Sequence, residues 1–134
     1  MVFSSGVQGV TRMAKILFVE DETSLQKTLS AALENAGFEV ANAYDGEQGL
    51  ELARKERPDL ILLDLILPKK DGFTVLAELK KDSELRDVPV IVLTNLEAVE
   101  DVEKVIELGA TTYLVKANYD LPEVVEKIRE ILGK

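Results

Sequence analysis

The chain has 134 residues and contains neither cysteine nor histidine. That excludes disulfide frameworks, thiolate metal sites and every catalytic arrangement built on an imidazole or a thiol. A formal net charge of −9 speaks against direct binding to nucleic acid or to an anionic membrane surface. No apolar run approaches the ~20 residues that span a bilayer, so the expected location is cytoplasmic.

Residues 1–12 (MVFSSGVQGVTR) carry no periodicity and read as a disordered leader or expression-tag remnant, with the natural start at Met13 and one domain over 13–134. From Lys15 the pattern alternates. Ile16 to Val19 forms a short apolar run. Leu25, Leu29, Ala32, Leu33 and Ala36 then recur at helical spacing, and Gly37 ends that helix. Phe38 to Val40 alternates like an edge strand. Asp45-Gly46-Glu47-Gln48 is a capping box for a second helix, stopped by Pro58. Leu60 to Leu63 reads as a strand buried on both faces. Phe73, Leu76 and Leu79 mark a third helix, and Val90 to Leu93 a fourth strand. Val99, Val102 and Ile106 mark a fourth helix, ended by Gly109. Tyr113 to Val115 is a fifth strand. Asp120 and Glu123 cap a last helix with Leu121, Val124, Val125, Ile128 and Leu132 on its apolar face. Five strands alternating with five helices imply an α/β fold, a parallel sheet covered on both faces.

The polar residues fall at strand ends. Glu20, Asp21 and Glu22 follow the first strand, with Glu22 placed as a helix cap. Asp64 ends the third, Thr94 the fourth and Lys116 the fifth. Under the flavodoxin-like, doubly wound order 2-1-3-4-5, strands 1, 3, 4 and 5 are neighbours. These side chains then converge outside the carboxyl edge, where open α/β sheets bind ligands. Each residue has a plainer explanation as a cap or a surface charge. Asp64 resists it, because it follows four large apolar residues, a place where an unpartnered charge is costly. Clustered carboxylates repel and call for a cation, and oxygen donors without His or Cys favour Mg²⁺ or Mn²⁺. A lysine and a hydroxyl nearby suit phosphoryl oxygens, and a carboxylate can serve as nucleophile. The chemistry indicated is phosphoryl transfer to an aspartate.

These motifs (VEDE with Glu20-Asp21, DLILP from Asp64, LTN with Thr94, GATTYLVK ending at Lys116) resemble the receiver domain of two-component response regulators, the family of the chemotaxis regulator. The resemblance runs from Lys15 to Leu132. It implies that Asp64 is the phosphoacceptor and that Glu20, Asp21, Asp64 and the backbone carbonyl of Ile66 hold Mg²⁺. It implies that Thr94 and Lys116 hold the phosphoryl group, with Thr94 and Tyr113 as switch residues. It implies no catalysis beyond the domain's own phosphorylation and dephosphorylation. Two positions depart from the family pattern. Ala117 stands where proline usually follows the lysine, which predicts a trans bond there. Asn95 stands where a small residue usually follows the threonine. Ile66 and Leu96 flank the site and are apolar, which suggests a screen against water and a long-lived phosphorylated state.

The implied partners are a sensor histidine kinase or histidine phosphotransfer protein, and a downstream protein that reads helix 4, strand 5 and helix 5. The implied state is a monomer or a phosphorylation-dependent dimer. Helix 4 carries Glu97, Glu100, Asp101, Glu103 and Glu107 against Lys104, a solvated acidic face or a docking surface for a basic partner. With only Gly133 and Lys134 after Leu132, output is expected through protein contacts, unless the stretch is an excised domain. A carboxylate phosphohydrolase usually needs a second aspartate where Ile66 stands. An electron carrier needs a phosphate loop after the first strand, and a P-loop enzyme needs a motif that is missing. The remaining alternative is a degenerate receiver acting as a passive interaction module.

Overall fold

The computed structural model describes residues 13–133, so the reading of residues 1–12 as a leader lies outside the described residues. Strands β1 (Lys15–Val19), β2 (Glu39–Ala43), β3 (Leu60–Leu63), β4 (Val90–Thr94) and β5 (Thr112–Val115) alternate with helices α1 (Thr23–Asn35), α2 (Gly46–Glu56), α3 (Gly72–Lys81), α4 (Val99–Glu107) and α5 (Leu121–Leu132). A short 3-10 turn, Lys116–Asn118, joins β5 to α5. All strands are parallel, in the order β2-β1-β3-β4-β5, the expected flavodoxin-like arrangement.

Alternation of side chains along each strand divides the core in two. Leu17, Val19, Ile61, Leu63, Val90 and Val92 face α2, α3 and α4, where they meet Leu50, Ala53, Val75, Leu76, Leu79 and Val105. Ile16, Phe18, Leu60, Leu62, Ile91 and Leu93 face α1 and α5, against Leu29, Leu33, Val124 and Ile128. The unbroken apolar runs in β3 and β4 are therefore required by a sheet with helices on both sides. Truncating a central side chain such as Leu62 to alanine costs about 2–5 kcal/mol by the usual sum of lost transfer and cavity terms.

Local signals explain most boundaries. Arg57 ends α2 in the left-handed region (φ 49°), consistent with the bias of a residue before proline away from the right-handed helix. Asp120 and Glu123 form a complete reciprocal cap on α5. Three expectations change. The Asp45 side chain does accept from Gln48 N, but Gln48 reaches back to the amide of Tyr44 instead of closing the box on Asp45. Glu22 sits at the N-cap position of α1, but its side chain makes no cap. β2 continues through Ala43, past the stretch whose alternation is visible.

The fourth helix departs most. Val99, Val102 and Ile106 define its apolar stripe, yet Val99 is 67% and Ile106 48% exposed. The only fully buried side chain of α4 is Val105. Lys104 packs 4.5 Å from the centroid of the Phe73 ring on α3. Spacing defines a stripe on a helix but not the direction in which it is turned.

Candidate functional site

Register places the polar residues. Val19 pairs with Leu63, and Thr94 pairs with Val115. Glu20 and Asp64 thus leave the sheet side by side, and Lys116 leaves it one residue beyond the partner of Thr94. Asp64 N donates to Val19 O at 3.0 Å, which carries the ladder one step past β3. Carboxylate oxygens of Glu20, Asp21 and Asp64, one from each, all lie within 4.8 Å of one another. Glu20 and Asp64 are buried, at 1% and 5% exposure, and Asp21 is exposed.

Lys116 Nζ lies 3.0 Å from Asp64 Oδ2 and 2.8 Å from Glu20 Oε1. The first contact is a directed hydrogen bond. The second is an ion pair without the angle of one, because Glu20 Oε1 has no directed donor. Asp64 Oδ1 accepts from Leu65 N at 2.7 Å and Ile66 N at 3.3 Å. Glu20 Oε2 accepts from Glu22 N at 3.0 Å. Burial raises Glu20 above its ordinary pKa of 4.5, opposed by Lys116 and the Glu22 amide and assisted by the Asp64 charge. Burial disfavours the charge on Lys116, but its bonds to Glu20 and Asp64 outweigh that and raise it above 10.5. Both members of the pair thus shift upward, for opposite reasons: one loses water, the other gains anions.

Thr94 is fully buried, and its hydroxyl Oγ1 has no hydrogen-bond partner. A buried hydroxyl without a partner is costly. Tyr113 is half-buried and donates to Leu96 O at 2.7 Å. Burial raises its pKa, followed by the charges of Asp101 and Asp64. The structure therefore brings Glu20, Asp21, Asp64 and Lys116 together. It seats Thr94 at the same sheet edge and ties Tyr113 to the loop after Thr94. Ile66 is 57% exposed, Asn95 exposed and Leu96 half-buried. Asn95, Lys116 and Ala117 line an open cleft of about 410 Å³ with Glu22, Ser24, Leu25 and Thr28 of α1 and its approach. A larger cleft of about 780 Å³, near Asp45, Arg54, Lys69 and Glu78, contains none of the site residues.

The donor set fits a hard divalent cation: oxygen ligands only, preassembled, with charge in excess of the one lysine. Gln26 is part of the architecture that sequence reasoning missed. It is 1% exposed, and its amide donates to the carbonyls of Phe18, Glu20 and Ala43. The signal was present: Gln26 occupies the inward register of α1 with Leu29 and Leu33, where a polar side chain needs a reason.

Comparison with known proteins agrees with this fold. Residues 16–129 match the family model described as response regulator receiver domain. The chain is 41% identical over 122 residues to the DNA-binding dual master transcriptional regulator RpaA of Synechocystis, covering 91% of this chain and 50% of that protein. It is 43% identical over 120 residues to the probable transcriptional regulator ycf27 of Guillardia theta, covering 90% and 46%. The chain thus spans about half the length of these curated relatives. Among solved structures, the Vibrio cholerae chemotaxis protein CheY4 superposes with a TM-score of 0.83 at 31% identity, covering 90% of this chain and 99% of that one. The Mn²⁺-bound form of response regulator Rcp1 does so with a TM-score of 0.78 at 35% identity, covering 87% and 92%. No helix among the described residues is long and apolar enough to cross a membrane.

Proposed function

The chain belongs to the response regulator receiver domain family, and from that premise we propose that it is a phosphoryl-accepting switch with Asp64 as the acceptor. The observation that carries this reading is the convergence of the Glu20, Asp21 and Asp64 carboxylates with Lys116 at the carboxyl edge of the sheet. Glu20, Asp21, Asp64 and the Ile66 carbonyl would hold Mg²⁺ or Mn²⁺, as the Mn²⁺-bound state of Rcp1 supports. The ion supplies positive charge against the phosphoryl oxygens.

The chain's own residues do the rest. An Asp64 carboxylate oxygen attacks phosphorus. The bond from phosphorus to the donor's nitrogen or oxygen breaks, and its electron pair leaves with the donor. The Leu65 and Ile66 amides hold Oδ1 and so fix the carboxylate plane. Lys116, already on Oδ2, pairs with an oxygen of the transferred group. The unpartnered Thr94 hydroxyl donates to another, and drawing it toward the phosphoryl group loosens the loop that Tyr113 holds through Leu96. The changed surface of α4, β5 and α5 is then read by a protein partner. Ile66 and Leu96 shield the acyl phosphate from water.

The donor would be a sensor histidine kinase or a histidine phosphotransfer protein, and the location cytoplasmic. The exclusion of nucleic acid drawn from charge applies to this stretch alone. Relatives twice its length are transcriptional regulators, one of them named as DNA-binding, so DNA is a partner open to a longer protein built on this domain.

Intact mass after incubation with Mg²⁺ and acetyl phosphate tests the reading. One added phosphoryl group, dependent on Mg²⁺ and missing from Asp64→Asn, is expected. No adduct would leave the passive interaction module.

A further inference from the structure

We infer that Gln26 is the positioning residue of the metal site, fixing the backbone from which Glu20 and Asp21 project. The inference rests on the reading of those carboxylates as cation ligands. Gln26 Nε2 lies 3.1 Å from Phe18 O, 2.9 Å from Glu20 O and 2.8 Å from Ala43 O. Two amide hydrogens serve three carbonyls, so one is shared. The carbonyls come from the end of β1, the acidic loop and the end of β2. Both backbone polar groups of Glu20 are thereby held: its carbonyl by Gln26, and its N–H by Ala43 O at 3.0 Å.

The amide cannot turn over. Its Oε1 accepts from Asn42 Nδ2, and the same Asn42 amide donates to Ser30 Oγ at 2.8 Å. A flipped Gln26 would set oxygen against three carbonyls and nitrogen against the Asn42 donor. The three carbonyls, which can only accept, fix the orientation of Gln26; Asn42 satisfies its outward Oε1 and so helps hold the amide that holds the acidic loop. A buried amide is an expensive way to fill this space unless every bond is made. Leucine would satisfy the inward register of α1, where Leu29 and Leu33 already lie. What leucine could not do is hold the Glu20 carbonyl. Mg²⁺ requires near-ideal placement of its oxygens, so loosening the backbone of Glu20 weakens binding without changing a ligand atom.

The test is an amide chemical-shift titration of the metal-free protein with Mg²⁺, for the native chain, Gln26→Leu, Gln26→Glu and Asn42→Ala. Outer-shell support typically contributes 10–100-fold to metal affinity, so Gln26→Leu is expected to weaken Mg²⁺ about tenfold and Asn42→Ala about threefold. Gln26→Glu, which turns a carboxylate on three carbonyls, should be the weakest. Phosphorylation by acetyl phosphate should need correspondingly more Mg²⁺ for half its maximal rate, with that maximum nearly unchanged, a split that general loosening of the fold would not give. Asn42 is only half-buried, so Asn42→Ala carries the test if the Gln26 variants do not fold. Variants that bind Mg²⁺ within about twofold of the native chain would overturn the role of Gln26 and leave the metal site standing. A native chain whose loop amides do not respond to Mg²⁺ would overturn both.

Discussion

Lys116 reaches across 52 residues of sequence to set its ammonium 3.0 Å from Asp64 Oδ2. The same nitrogen is 2.8 Å from Glu20 Oε1, so one cation separates two buried anions. Lys116→Met should destabilise the metal-free protein by about 2–3 kcal/mol at neutral pH, below the full cost of a broken buried pair because Lys116 is partly exposed. Urea unfolding should recover much of that loss when Mg²⁺ is added, as expected of an ion that binds the proposed site only in the folded state. A loss unaffected by Mg²⁺ would mean that the lysine does not neutralise the ligand carboxylates.

Thr94→Val replaces a buried hydroxyl that has no partner with a methyl group of similar shape. The resting protein should gain up to about 1 kcal/mol, since the desolvated hydroxyl is removed at little change in packing. On the proposed reading Asp64 should still be labelled, but its labelling should not change hydrogen exchange in the loop held by Tyr113, as it should in the native chain. Thermal unfolding and exchange mass spectrometry read the two effects separately.

Gly72 opens α3 directly beneath the acceptor strand. A β-carbon there would stand 2.3 Å from Asp64 O and 2.5 Å from Leu65 Cα, and Gly72 N already donates to Leu65 O at 2.9 Å. Gly72→Ala must displace the acceptor backbone or the helix. It should cost about 1–3 kcal/mol, as overpacking does, and it should slow labelling of Asp64. Gly37→Ala is the contrast: its β-carbon meets open space, and its cost comes from a φ of +97°. It should lower stability and leave the labelling rate alone.

The pH dependence away from the site is set at the start of β1. Lys15 Nζ donates to Glu56 Oε1 at 2.8 Å and lies 3.5 Å from Glu39 Oε2. That hydrogen bond lowers the Glu56 pKa below 4.5. A carboxylate with a lowered folded pKa contributes stability that is fully present above its unfolded value and is lost as pH falls through the folded one. The native chain should therefore lose more stability between about pH 5 and pH 3 than Lys15→Met does. Equal acid sensitivity in the two proteins, measured by urea midpoints, would remove the pair from the account.

Much of the architecture was legible because burial on both faces leaves a plain trace. Leu60 to Leu63 and Val90 to Leu93 contain no polar residue; Asp64 was conspicuous by following such a run, and Thr94 and Lys116 gained meaning only by sharing its edge of the sheet. What stayed hidden depended on direction. The stripe of Val99, Val102 and Ile106 has the spacing of a packed face, but α4 turns Val105 inward instead. β2 outruns its visible alternation because Asn42 is paired by side-chain amides in place of apolar packing. Gln26 was overlooked although it shares the inward register of Leu29 and Leu33, because its carbonyl partners, two at or just beyond the end of β1 and one at the end of β2, meet only in the fold.

The shallow seating of α4 carries a consequence for signalling fidelity. A helix with one fully buried side chain, Val105, would leave its seat at small energetic cost, so on the proposed reading a modest input at Asp64 would be enough to move it. The same looseness lets thermal motion move it unprompted, because a small gap between two arrangements keeps both populated. On the proposed reading the resting chain would therefore carry some background output, and position 105 is one place to tune it. Sensitivity and false alarm rise together there, and a firmer anchor would quiet the one only by dulling the other.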